Sequence, residues 1–378
     1  MSYITYIEEK IGRIPLHFLD AAYINGYFWV TALEWNGYYR VNAQTGKAEF
    51  LGLFENADLL DNKLFNQVLD YKEFVFFIPW FSNYLVKLNT VTLGISYYKL
   101  PNSLIPQIAK FRAALIYDKK IFMFPHVCDE ICIFDIEKEE FSCDRKWVEE
   151  YSKYEILNSR DRFDQGCKIE EFVYLTNYSG SFIMKYNLNN YQYSIISFPE
   201  DEKKIVDIVV YDKDKLLLLT WVGNIWCLNI QNGYKTLIYR CNGNVKFPYR
   251  HVLVHQDYFL LIPAFEKKIV LVGKFGEERL LFPDDWRLQY LDVDIGCIFN
   301  RYYKLENIIM LYPCLGNMLL KIDVEKKVLS GIKISGGNNI NLQAYINLIV
   351  NKKDGENDHK SRKEKGNMEI WNIVRGIE

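Results

Sequence analysis

One segment recurs along this chain: a solid apolar run, a short bend, an alternating strand, a tight turn and a second alternating strand. In residues 73–100 it reads EFVFFIPWFSNYLVKLNTVTLGISYYKL. The same order returns in YFWVTALEWNGYYRVNAQTGKAEFLGLF, KIFMFPHVCDEICIFDIEKEEFSC, EFVYLTNYSGSFIMKYNLNNYQYSIISF, KLLLLTWVGNIWCLNIQNGYKTLIYR, YFLLIPAFEKKIVLVGKFGEERLLF and NIIMLYPCLGNMLLKIDVEKKVLSGIKI. One more short apolar segment precedes each unit, such as AALIYD, VDIVVYD or RHVLVHQ. Four strands joined by hairpin-length turns make an antiparallel meander. Helical spacing fits poorly, because the runs are short, β-branched and aromatic, and are cut by turn residues. The bend before each third strand aligns at Asn36, Asn83, Asp129, Gly180, Asn224, Lys267 and Asn317, at spacings of 43 to 51 residues. That is the period of propeller blades.

A single blade cannot bury both faces of its twisted sheet. Neighbouring blades cover them, which accounts for strands that are apolar almost throughout and for an aromatic content of 16%, with 28 Tyr and 24 Phe. The two chain ends suggest how the ring shuts. The final GNMEIWNIVRG, from Gly366, matches third strands such as GNIWCLNIQNG from Gly223, and the N-terminal SYITYIEEK matches fourth strands such as ISYYKLPN. A last blade stitched from both termini removes the exposed edges of an open ring. Its first two strands are INLQAY and INLIV, from about Ile340. The expectation is therefore an all-β, eight-bladed β-propeller filling residues 1–378 as one domain, at about 47 residues per blade. The alternative is a seven-bladed ring with a C-terminal extension, since INLQAY and INLIV also fit a helix. Residues 351–366 carry six basic and four acidic residues and no large apolar side chain. They read as a disordered loop inserted in the last blade, or as a basic lure for an acidic partner.

In these features the chain resembles the bacterial β-propeller repeat proteins of the kelch and WD-repeat kind, across nearly its whole length. The likeness is architectural. The only Gly-Gly is Gly336–Gly337, away from any kelch context, and the GH…WD signature is absent. No functional residue is therefore carried over, and fold alone does not fix function.

The formal net charge of −2 argues against a basic nucleic-acid binder. No apolar run reaches a membrane span, and the start lacks the pattern of a secretory leader, so a cytoplasmic location is expected. In that setting Cys128, Cys132, Cys143, Cys167, Cys227, Cys241, Cys297 and Cys314 read as reduced thiols. The Cys128–Cys132 pair lacks a second pair at zinc spacing, and no phosphate, dinucleotide or metalloprotease motif occurs, so neither metal nor cofactor is expected.

Two kinds of connection alternate. The turns between first and second strands and between third and fourth strands are short. The bends between second and third strands share the opposite rim with the inter-blade connections, which include 55–64, 101–110, 148–164 and 283–296. Long loops on a rigid scaffold are where binding groups sit, so this bend rim is the expected working face. Its bends carry Trp35, Trp80 with Phe81, His126, Tyr178, Trp221 and Phe265, one position per blade. They form either an aromatic platform for a ligand or wedges between blades. The connection 148–164 adds Arg160, Asp161, Arg162 and Asp164, which form either a clamp for a carboxylate or phosphate or a solvated helix with self-paired charges.

The leading reading is a non-catalytic recognition or scaffold protein that holds a peptide or protein partner on this rim. A lyase or hydrolase at the channel mouth, with His126, Arg160, Arg162 and Asp164 as its polar groups, is one alternative. A carbohydrate-binding module on the aromatic crown is the other.

Overall fold

The computed structural model describes residues 16–335, apart from 59–60, 155–160, 178–179, 200–201, 203, 242–244, 257, 274–275 and 289–295. Within the unit Leu16–Ile334 the repeats become seven four-stranded antiparallel sheets, each in simple meander order. The innermost strands, in chain order from blade 1 to blade 7, are Ala22–Ile24, Phe65–Tyr71, Phe111–Tyr117, Phe163–Ile169, Ile205–Asp212, Tyr249–His255 and Tyr302–Leu305.

The short turns follow from local chemistry. In blade 1 the first hairpin turns through Asn25 and Gly26, both at positive φ, and in blade 3 through Asp118 and Lys119. Such turns match the right-handed twist of the flanking strands. At the turn from third to fourth strand the last residue of the third strand bends the chain with its own side chain. Asn42 Oδ1 accepts from the Gln44 and Thr45 amides, Asn89 Oδ1 from Val91 and Thr92, and Asn229 Oδ1 from Gln231 and Asn232. Asp135, Asn187 and Asp323 accept in the same way in their blades. These are Asx turns, and they fix the short-turn rim.

The core lies in the seams between blades. Phe54, Phe65, Val75 and Phe77 fill the seam of blades 1 and 2; Phe76, Ile121, Met123 and Phe134 that of blades 2 and 3. Further apolar clusters occupy each seam on to blades 6 and 7, where Leu260, Ile269, Ile309 and Leu320 meet. Each such side chain is worth about 1.5–3 kcal/mol on burial.

The ring closes between blade 7 and blade 1, which corrects the eight-bladed expectation in favour of its seven-bladed alternative. Tyr303 packs 4.9 Å from Tyr23, and Tyr312 lies 5.5 Å from Phe18 and 5.6 Å from Phe28. The Tyr312 hydroxyl donates to the Ala21 carbonyl (3.2 Å) and Asn300 Nδ2 to the Leu19 carbonyl (3.4 Å). These contacts occupy the gap an eighth blade would need. The outer edge repeats what other seams do. Lys327 of blade 7 reaches Glu278 of blade 6 (2.5 Å), and the corresponding turn of blade 1 sets Gly46 against the Lys333 carbonyl of blade 7. The strands expected from the two chain ends, and the insertion at 351–366, lie outside the described residues.

Among the described residues no helix is long and apolar enough to cross a membrane, and no group of three His, Cys, Asp or Glu is placed to hold a metal ion.

Candidate functional site

The same three-residue pattern stands on the bend side of every inner strand, opening it in blades 2 to 6 and preceding it in blades 1 and 7. An apolar anchor comes first: Phe18, Phe65, Phe111, Phe163, Ile205, Tyr249 or Phe299. Next is a bulge position, and then a residue that starts regular pairing. In blades 2 to 6 the register slips at this point. A bulge re-aims side chains, and here it turns the polar ones toward the ring axis or the next blade.

The residue after the bulge position ties blade to blade. Asp20 Oδ2 accepts from the Val68 amide of blade 2 (3.0 Å), Gln67 pairs with both backbone groups of Ala114, and Asp207 Oδ2 accepts from the Val252 amide (2.9 Å). Burial pushes the Asp20 carboxyl up to about 6, against the opposing pull of Arg301. His251 Nε2 lies 3.0 Å from the Asn300 carbonyl, and burial lowers its pKa. Arg301 crosses the axis, donating to Gln165 Oε1 (2.8 Å) and to the Arg112 carbonyl (2.6 Å).

Asp164, at the bulge position of blade 4, is the hub of the charges. Arg250 grips it with both terminal nitrogens (2.7 and 3.1 Å), and Arg112 Nε lies 2.8 Å away. Burial opposes its charge, yet Arg112 and Arg250 hold the carboxyl well below the ordinary range. Its charge is held by one bidentate guanidinium and a second cation beside it.

Above this level the bends make a backbone belt. The Trp80 amide donates to the Leu64 carbonyl of its own blade (2.9 Å), and the Trp80 carbonyl accepts from Lys110 of the next (3.1 Å). His126, Trp221, Ala264 and Leu33 repeat the arrangement, passing the chain to Arg162, Phe247, Ile298 and Lys63. Hydrogen-bond register thus places Leu33, Trp80, His126, Trp221 and Ala264 in one ring around the mouth, and in blade 7 the Leu315 amide donates to the Ile298 carbonyl (3.4 Å).

Several sequence candidates belong to this ring and others do not. Trp80 is half-buried against Leu19, Leu33 and Cys314, with the Arg112 guanidinium 5.5 Å from its ring centre. Trp221 stacks flat on Phe247 at 4.5 Å, with Lys204 Nζ 3.9 Å from its ring centre. Phe265 stands one residue beyond the ring position held by Ala264, 55% exposed, with its ring 6.4 Å from Phe247. Phe81 follows Trp80 and is 38% exposed. Trp35 is buried, stacked on Phe50 and edge-on to Tyr39 within its own blade, because Leu33 takes the ring position. It is a packing residue. Tyr178 and Arg160 lie outside the described residues.

The polar candidates are dispersed rather than convergent. His126 is buried; its Nδ1 donates to the Phe163 carbonyl (3.1 Å), and Nε2 lies 3.6 Å from Asp161. Burial, with Arg112 nearby, lowers its pKa to about 4, which leaves a weak base. Arg162 pairs with Asp129 of blade 3 and lies over the rings of Trp147 and Tyr151. The helix expected to be solvated in this connection is one turn, Val148–Tyr151, whose flanking Trp147 and terminal Tyr151 are fully buried beside Phe163 and Phe182. Its neighbouring charges therefore pair outward, with other blades. Arg112, Lys204, Arg250 and Arg301 escaped the sequence reading. The signal for Arg112, Arg250 and Arg301 was present in KFRA, PYRH and IFNR, where polar residues follow the anchor, whereas Lys204 precedes its anchor in KIVD and carries no such signal.

The fold and this mouth define a β-propeller. No protein-family model and no curated protein matches the chain. Solved structures do. BamB from Moraxella catarrhalis is similar over 80% of this chain and 83% of its own, with a TM-score of 0.52 at 9% identity. The extracellular domain of a hybrid two-component system from B. thetaiotaomicron gives a TM-score of 0.56 at 13% identity, over 82% of this chain. PorZ of Porphyromonas gingivalis, a surface component of its type-IX secretion system, gives 0.54 at 9% identity, over 85%. The chain spans 40% and 38% of the length of these last two. Such likeness carries the propeller fold alone.

Proposed function

We propose that this protein is a non-catalytic recognition propeller that holds a peptide or protein partner on its bend rim. One observation carries the reading: an apolar surface at blades 5 and 6 that is exposed among the described residues. Trp221 and Phe247 stack there, beside Phe265 at 55% exposure and Val245 at 52%. Flat, stiff rings of this kind give contact area at little entropic cost.

The test is a capture experiment with the full-length protein and lysate of its native host. Trp221→Ala combined with Phe265→Ala should abolish the specific capture seen with wild type while the protein still folds, with some loss of melting temperature because Trp221 also packs against the seam of blades 5 and 6. Trp80→Ala is the contrasting variant. Its ring packs among Leu19, Leu33 and Cys314, so it should cost about 3 kcal/mol of stability. Capture that survives the double replacement would remove the rim from partner binding.

A further inference from the structure

Strand register sets two of the eight thiols face to face. Cys132, in the third strand of blade 3 (Ile131–Asp135), stands directly opposite Cys143, in the fourth (Glu140–Asp144). Residues opposed in an antiparallel ladder project from the same face of the sheet, with Cα atoms about 4.5–5.5 Å apart. A disulfide spans Cα separations of about 4.4–6.8 Å, so the pair is within its reach. The other two cysteines in strands face no thiol. Cys167 is paired with Tyr174, and Cys227 with Leu217 and Thr236.

The two opposed sulfurs differ in access. Cys143 is exposed, on the outermost strand of its blade, whereas Cys132 is fully buried with Phe76, Ile121 and Phe134 in the seam of blades 2 and 3. Burial raises the Cys132 thiol well above its ordinary pKa, and the neighbouring Cys143 side chain adds to the rise. Cys132 is therefore a poor first nucleophile, and oxidation begins at Cys143.

We propose that Cys132 and Cys143 form a reversible disulfide, with a hydroperoxide as the oxidant. The Cys143 sulfur attacks the peroxide; the O–O bond breaks, a sulfenic acid forms, and the rest of the peroxide leaves as an alcohol, or as water from hydrogen peroxide. The Cys132 sulfur then attacks the Cys143 sulfur. The S–O bond breaks, and the departing hydroxide takes the Cys132 proton and leaves as water. Two thiols are oxidised and one peroxide is reduced. The exposed Cys143 sulfur gives a small thiol access for the reverse reaction. The bond fastens the outermost strand of blade 3 one residue before Asp144. That carboxylate accepts from the Tyr186 hydroxyl of blade 4 (2.9 Å) and from the Lys146 amide (3.1 Å). The site lies apart from the rim and does not depend on what binds there.

The test treats the reduced full-length protein with hydrogen peroxide, alkylates it in denaturant and maps it by mass spectrometry. Wild type should lose two of its eight alkylatable thiols, recovered as one peptide that links Cys132 to Cys143 and is released by dithiothreitol. Cys143→Ser, a replacement at an exposed position, should lose none of its remaining thiols. Cys132→Ala should leave on Cys143 a sulfenic acid that dimedone traps. Because Cys132 is a core residue, Cys143→Ser carries the test should Cys132→Ala not fold. Amide exchange across Glu140–Asp144 should slow on oxidation and recover on reduction. A dimedone adduct on wild-type Cys143 without the linked peptide would overturn the disulfide. So would a link between other cysteines, or the loss of two thiols from Cys143→Ser. Exchange unchanged by the bond would overturn its hold on the strand.

Discussion

At the scale of single residues, the channel is governed by groups whose charge the fold has decided. Asp164 stays ionised because two guanidiniums outweigh its burial; Asp20 is raised to about 6 because burial outweighs Arg301. The two act oppositely on stability. A lowered carboxyl contributes stability above its unfolded pKa and loses it only as pH falls toward the folded value. A raised carboxyl binds its proton more tightly when folded, so stability declines as pH rises from about 4 to about 6 and is flat beyond. For Asp20 that decline is about 3 kcal/mol. His126, lowered to about 4, gives the reverse slope, with stability rising from about pH 4 to about 6.5. In wild type the two slopes offset each other. Asp20→Asn, which keeps an acceptor for the Val68 amide, should expose the His126 slope: urea unfolding should show stability climbing across pH 4–6 more steeply than in wild type. An unchanged profile would mean that Asp20 is ionised throughout. None of this was legible in the sequence. Asp164 stood out there as a charged loop residue, but its partners Arg112 and Arg250 come from blades 3 and 6, and pairings across a ring have no sequence spacing.

At the scale of elements, the strands and short turns were the most legible part. Apolar runs of five to eight residues cut by Gly, Asn and Asp read directly as hairpins, and the sheets follow that order. The aromatic crown was legible only in part. Bends differ in length, so the spacing of aromatics points to Trp35 and Phe265 where hydrogen-bond register puts Leu33 and Ala264. The recurring Asn or Asp that ends the third strand is a better anchor for alignment, because its side chain makes the turn. Asn229→Ala would lose acceptors for two amides at 2.9 and 3.2 Å. It should cost about 1 kcal/mol in a thermal melt, with no change in partner capture, since it lies on the rim away from the mouth. A loss of capture would place binding on the wrong face.

At the scale of the whole ring, the sequence showed that the chain repeats but not how many repeats close. Strand-like ends suggest a shared blade, yet the number is set by whether the last sheet reaches the first. Here it does, through Tyr303 and Tyr312 against Tyr23, Phe18 and Phe28. Gly46 tests that seam from outside. Its φ of +71° disfavours a side chain, and an added Cβ would run into the Lys333 carbonyl of blade 7. Gly46→Ala should lower the melting temperature clearly, whereas Gly233→Ala, equally strained at +72° with open space around it, should lower it less. Equal effects would mean that blade 1 does not abut blade 7. The most direct measurement is a crystal structure of the full-length chain, counting sheets around the axis. It should show seven, with the Tyr312 hydroxyl on the Ala21 carbonyl; a further sheet between blades 7 and 1 would contradict both the closure and the mouth built on it.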